Sequence, residues 1–187
     1  PLGSPDAGQG WHTDMSYSPQ PPSASVLYAI EVPSSGGDTS FSNMYLAAER
    51  LPPKLREQIE GRGIKHDATT TSAGDLRVGF DDVQDPRYGP GTVHPILRTH
   101  PITKKKALFI GRRKNAYIDG LGLQESEELL DALFAHVARP EFTWTQKWAL
   151  GDLLVWDNRC VMHRRDSFDP NVRRLMHRTQ VKGDTPV

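Results

Sequence analysis

Two stretches at opposite ends of the chain constrain it most. Trp11-His12-Thr13-Asp14 near the start and His163 near the end together offer two imidazoles and one carboxylate, the ligand set of a non-heme iron(II) centre. Placed two positions apart on a β-strand, His12 and Asp14 point to the same face and reach one ion without bending the backbone. The third ligand must then be delivered from elsewhere in the fold. The apolar run Asp152-Leu153-Leu154-Val155-Trp156 reads as a buried strand that presents His163 just beyond its end. On its own the His-x-Asp pair is a weak signal, because with 7 histidines in the chain two solvated polar residues explain most such pairs.

Short strand-like runs dominate the rest. Residues 25–32 are β-rich and end at Pro33 and a Gly36-Gly37 turn. Residues 94–100 and 106–111 look like paired strands joined around Thr103-Lys104-Lys105, and 142–148, 153–157 and 173–182 supply closing strands. Helices are few. Asn43 caps one through Arg50, a second runs over 54–60 to Gly61 and Gly63, and a third covers 124–138. In the third, Leu129, Leu130, Leu133, Phe134 and Val137 fall on one face and Pro140 enforces the end. The 67–92 segment is rich in Gly, Pro and Asp and lacks periodicity, which predicts a long mobile loop, either a lid or a disordered stretch. This pattern is mainly β with flanking helices and fits a jelly-roll sandwich better than a βαβ fold.

At 187 residues the chain is one domain's worth, long enough to bury a core. A formal net charge of zero points to neither a nucleic acid nor an anionic membrane as partner. The absence of an eighteen-residue apolar run and of a signal pattern makes the cytoplasm the expected location. The single Cys160 cannot form an internal disulfide and reads as a small, partly buried hydrophobe. A metal-binding strand this close to residue 1 leaves little chain for neighbouring strands, so 1–187 reads as one catalytic domain lacking an N-terminal segment. Pro1-Leu2-Gly3-Ser4 fits either a cleavage scar or, as we favour, a native loop. Oligomeric state is not legible, and a homo-oligomer is allowed for.

The surroundings of the three ligands are more telling than the ligands themselves. Gly36-Gly37-Asp38-Thr39 follows His12, Trp156-Asp157-Asn158-Arg159 precedes His163, and Arg173-Arg174-Leu175-Met176-His177-Arg178 follows it. Together with His94-Pro95-Ile96-Leu97-Arg98-Thr99-His100-Pro101, these blocks resemble the taurine and phenoxyacetate-herbicide dioxygenase family of 2-oxoglutarate-dependent enzymes, over nearly everything from Trp11 to about Gly183. The resemblance implies a double-stranded β-helix (cupin-like jelly-roll) core with His12, Asp14 and His163 holding Fe(II). It implies that Arg174 and Thr39 grip the distal carboxylate of 2-oxoglutarate, while Arg178 lies close by and helps hold an anionic substrate. The implied reaction uses O2 to hydroxylate a small organic anion and releases succinate and CO2.

Charge placement supports part of this independently. On a strand, Arg174, Met176 and Arg178 share one face and Arg173, Leu175 and His177 the other. An inward guanidinium is costly without a counter-anion, and its planar fork suits a carboxylate. Arg178 lies roughly 13 Å farther along by strand rise, so it calls for an anion of its own: the substrate, or the metal-proximal carboxylate of 2-oxoglutarate. The bland reading is a solvated cluster with Arg164 and Arg165. Asp38, Asp157 and Asn158 either orient the ligands or simply form turns. His66, His94, His100 and His136 lack the spacing of a second metal site, and the tryptophans read as structural. Two other functions stay open: a zinc hydrolase using the same triad, and a non-catalytic jelly-roll binding protein. Among sulfonates, sulfates, aryloxyalkanoates and amino-acid derivatives, the sequence does not select a substrate.

Overall fold

The computed structural model describes residues 8–187, so the Pro1-Leu2-Gly3-Ser4 segment lies outside the described residues. Two antiparallel three-stranded sheets organise the chain. One has the order β11 (Leu175–Val181), β1 (Ala24–Glu31), β9 (Leu153–Asp157). The other has the order β10 (Val161–Arg165), β2 (Thr39–Asn43), β8 (Thr143–Gln146). The chain crosses between sheets from β1 to β2 and again at each step from β8 to β11. Ring contacts show that the sheets face one another: Trp156 of β9 lies 5.5 Å from Phe41 of β2 and 4.8 Å from His163 of β10, centroid to centroid. Strands that alternate in this way between facing sheets wind a double-stranded β-helix, the expected jelly roll.

Everything between β2 and β8 is an insertion with a core of its own. It contains α1 (Met44–Glu49), α2 (Pro53–Ile59) and α3 (Leu123–Val137). A sheet of order β4 (Gly91–Pro95), β3 (Gly63–Asp67), β7 (Tyr117–Ile118) and a hairpin of β5 (Leu97–Thr99) with β6 (Lys106–Leu108) complete it. The Asn43 side chain accepts from the Tyr45 and Leu46 amides and so starts α1 where its sequence predicts. In α3, Leu129, Leu130, Leu133 and Val137 are buried, with Phe134 packed partly exposed at the rim. These leucines meet Met44, Ala47 and Ala48 of α1 and Ile64, Ile96, Leu108, Ile110 and Ile118 in a continuous apolar cluster. No helix among the described residues is long and apolar enough to cross a membrane.

Three expectations need correction. Residues 94–100 are not one strand: the run breaks at Ile96, whose amide donates to the Arg62 carbonyl, leaving β4 on β3 and β5 on β6. The run Leu153–Asp157 is not buried through and through. Leu153 is 63% and Val155 60% exposed on the outer face, whereas Trp156 points inward. His163 does not follow that strand directly either, but sits in the middle of its own strand, β10, after the turn at Asn158-Arg159-Cys160.

The 67–92 segment is also less uniform than its composition suggests. Its first part is pinned by Asp67, whose carboxylate accepts from the amides and hydroxyls of Thr69 and Thr70. Thr70 then bridges Leu76 and the Arg77 amide returns to the Thr69 carbonyl. These bonds make 67–77 a tight, internally bonded turn.

Candidate active site

His12 and Asp14 do not lie on a regular strand. His12 makes an isolated bridge to His163, with reciprocal 2.9 Å backbone hydrogen bonds, and the chain turns immediately after Thr13. The same-face argument therefore gives way to a different mechanism of convergence. The bridge sets the two imidazoles side by side, 4.2 Å between ring centroids, and the turn swings the Asp14 carboxylate onto them. Asp14 Oδ1 lies 3.8 Å from His12 Nε2 and 3.7 Å from His163 Nε2. Two donors each about 2.1 Å from a common ion are at most about 4.2 Å apart, so these separations suit one shared metal ion.

The protonation pattern suits it too. The Gly10 carbonyl, 2.8 Å away, accepts a hydrogen bond from His12 Nδ1, which leaves the Nε2 lone pair free. Burial keeps His12 neutral, and burial together with His12 pushes His163 down to about 3. Asp14 moves the other way: burial opposes its ionisation, but His163, Arg178 and His12 outweigh burial and hold the carboxyl below its usual value. Two neutral imidazoles and one carboxylate are what a divalent cation needs from protein.

Two residues hold Asp14 in place: Ser25, which sequence reasoning passed over, and Asn158, for which it left ligand-orienting and turn-forming roles open. The Ser25 hydroxyl donates to Asp14 Oδ2 at 2.6 Å. The Asn158 amide clamps the Asp14 backbone, accepting from its N–H and donating to its carbonyl, each at 3.0 Å, and donates to the Pro22 carbonyl as well. Asp157 turns away, to Arg159 and His100. Asp38 makes no side-chain bond to a ligand; its carbonyl accepts from the Asp166 amide. Only alternation along β1 hints at Ser25, since Ser25, Leu27 and Ala29 face inward.

On one side of the triad a 200 Å³ pocket is lined by His12, Leu27, Thr39, Trp156, His163 and Arg174. Arg174 is the residue that stands out there. Its Nε and Nη2 are buried without a hydrogen-bond partner, and burial with Arg165 nearby pulls its pKa down to about 10. Gly37 lets it lie there: at φ +69°, a Cβ on this residue would come within 3.1 Å of Arg174 Cδ and Nε. The Thr39 hydroxyl accepts from Trp148 Nε1 at 2.9 Å, which leaves its own proton to donate. A buried fork of unsatisfied donors beside a hydroxyl with a proton to donate suits a carboxylate in charge and in shape.

Arg178 differs from expectation. Its side chain is 47% exposed, and its counter-anion is Asp14, with Nη2 2.8 Å from Oδ1. A second candidate ligand group, His100, Asp157 and Cys160, has no lone pair to spare. His100 donates to Asp157 and accepts from the Ile102 and Thr103 amides, while burial and Asp157 raise the Cys160 thiol to about 11.

Comparison with known proteins agrees with this geometry. Residues 2–180 match the model of the taurine catabolism dioxygenase TauD, TfdA family. The pentalenolactone F synthase of Streptomyces arenae is 36% identical over 95% of this chain, and the alpha-ketoglutarate-dependent 2,4-dichlorophenoxyacetate dioxygenase of Cupriavidus pinatubonensis is 36% identical over 97%. The chain spans 62% of the length of each. A crystal structure of AAD-2 in complex with Mn(II) and N-oxalylglycine superposes with a TM-score of 0.83 at 33% identity, covering 96% of this chain and 70% of that one.

Proposed function

The chain belongs to the TauD, TfdA family of taurine catabolism dioxygenases, and from that premise we propose that it is an Fe(II)- and 2-oxoglutarate-dependent dioxygenase hydroxylating a small organic anion. The substrate class is a sulfonate, sulfate or carboxylate, and the by-products are succinate and CO2. The observation that carries the reading is Arg174, a buried cation with unpartnered donors in the pocket that borders His12 and His163. A zinc hydrolase can use the same three ligands but gives Arg174 no task, and a non-catalytic barrel gives neither the ligands nor Arg174 one.

Each residue then has a defined part. His12, Asp14 and His163 hold the metal, with Ser25 and Asn158 fixing Asp14. Arg174 and Thr39 hold the distal carboxylate of 2-oxoglutarate, and Trp156 and Leu27 wall it from water. Bound iron and 2-oxoglutarate supply the oxidising power that couples O2 to decarboxylation of one molecule and hydroxylation of the other. A metal held by Asp14 would compete with Arg178 for the carboxylate, and the half-exposed guanidinium would then have charge to offer an acidic substrate. The bonded turn of 67–77 puts Thr71, Ser72 and Arg77 on the wall of the cavity beside Asp14 and keeps solvent from the reacting centre.

The test is succinate formation from 2-oxoglutarate with Fe(II), ascorbate and a panel of sulfonates and aryloxyalkanoates. We expect activity with iron, none with zinc, and none in His163→Ala. Normal succinate production by His163→Ala would remove it from the metal site.

A further inference from the structure

The second cavity beside Asp14 carries more positive charge than the roles above use. It has a volume of 680 Å³ and is walled by Arg77, Arg112 and Arg178 against the single carboxylate of Asp14. That carboxylate is already committed to the two histidines, to Arg178 and to Ser25. Neither Arg77 nor Arg112 makes an ion pair with a carboxylate among the described residues; both instead donate to one atom. The Thr70 carbonyl accepts from Arg77 Nε and from Arg112 Nη1, each at 3.0 Å.

That atom is itself fixed. The buried Asp67 carboxylate holds Thr69 and Thr70 by both amide and hydroxyl, and the Tyr17 ring lies 4.1 Å beneath the Arg77 guanidinium. The result is two partly buried cations held side by side, with Arg112 kept below its usual basicity by burial and by Arg77. Like charges in such an arrangement repel unless an anion sits between them. Two guanidiniums fixed side by side on a rigid turn form a preorganised oxyanion receptor.

We propose that Arg77 and Arg112 form a second anion subsite of the substrate pocket, and that the primary substrate is a dianion with one acidic group facing Arg178 and the other held by this pair. The inference rests on the oxygenase reading for the identity of the pocket. The cavity is large enough for a small dicarboxylate or a carboxylate that also bears a sulfonate or sulfate group.

Calorimetric titration of the metal- and 2-oxoglutarate-loaded protein, kept free of oxygen, provides the test, with phenoxyacetate and its dianionic analogue 4-carboxyphenoxyacetate as probes. We expect the dianion to bind about tenfold tighter than the monoanion, a preference equivalent to about 1.4 kcal/mol. Arg112→Gln and Arg77→Gln should each bring the ratio close to one, and Arg112→Lys should keep part of it. Equal affinities in the unmodified protein, or a preference that survives both glutamine variants, overturns the subsite. Succinate formation is scored separately. Its absence alongside an intact dianion preference overturns the oxygenase reading alone, and its presence without that preference overturns the subsite alone.

Discussion

The insertion and the jelly roll solve opposite problems with the same chain. Between α1, α3 and the strands packed on them, the interior is apolar: leucine, isoleucine, alanine and methionine fill most of it. Between the two sheets the interior is polar, holding His12, Asp14, His163, Thr39 and the partnerless Arg174, and it keeps open space. A void in the first region costs stability, whereas the second is useful only because it is not filled. The difference teaches that in this molecule stability and chemistry are separable, and substitutions in each region should leave the other's property alone.

Arg174→Ala breaks the polar side most severely. Removing one member of a desolvated charge pair costs about 3–5 kcal/mol, so the Kd for 2-oxoglutarate should rise by roughly two to three and a half decades in calorimetry. The ligand-free protein should melt at the same or a higher temperature, because a buried guanidinium with unsatisfied donors has gone. An unchanged Kd removes Arg174 from the cosubstrate site. Leu133→Ala, at a fully buried position of α3, should do the reverse. Denaturant titration should show a loss of about 2–5 kcal/mol, with 2-oxoglutarate affinity unchanged below the melting range; an equal loss of both would show that the two regions are coupled.

The smallest effect lies on the seam between them. Asp157 ends β9 and bonds both Arg159 and His100, the latter just beyond β5. Burial raises its pKa, but the hydrogen bonds from Arg159 and His100 prevail and bring it to about 2, well below its ordinary value of 3.8. A carboxyl depressed on folding stabilises fully above its unfolded value and loses that contribution as pH falls toward the folded one. Melting temperature should therefore fall between about pH 4 and pH 2, and Asp157→Asn should flatten that limb. Identical limbs in both proteins would take Asp157 off the seam.

What the sequence shows is what local pattern encodes. The Asn43 cap and the leucine face of α3 are each decided by neighbours a few residues away, and each appears close to where it is expected; the inward face of Arg174, Met176 and Arg178 holds only in part, since Arg174 lies just before β11 and Arg178 is half exposed. The convergence of His12 and Asp14 looks like strand geometry but is made by a bridge to His163, a partner from the far end of the chain. Ser25, Asn158, Arg77 and Arg112 gain their meaning only from contacts across the fold, and the ion pair of Arg178 depends on Asp14 reaching back to it. Outer-face Leu153 and Val155 mislead for the opposite reason, since an apolar run does not say which of its faces is covered.

The clamp of Asn158 on Asp14 joins residues 144 positions apart, and that separation has a consequence for how the protein is made. At about 5–20 residues per second of synthesis, Asp14 waits between roughly 7 and 30 seconds before the residue that fixes it exists. The apolar cluster of the insertion, nearly all of it encoded before β9, can condense during that interval. The metal site has no such early form, because His12 has no partner strand until β10 is made. Contacts this distant in sequence are slow to close, so the three ligands come together only once β10 has joined the fold.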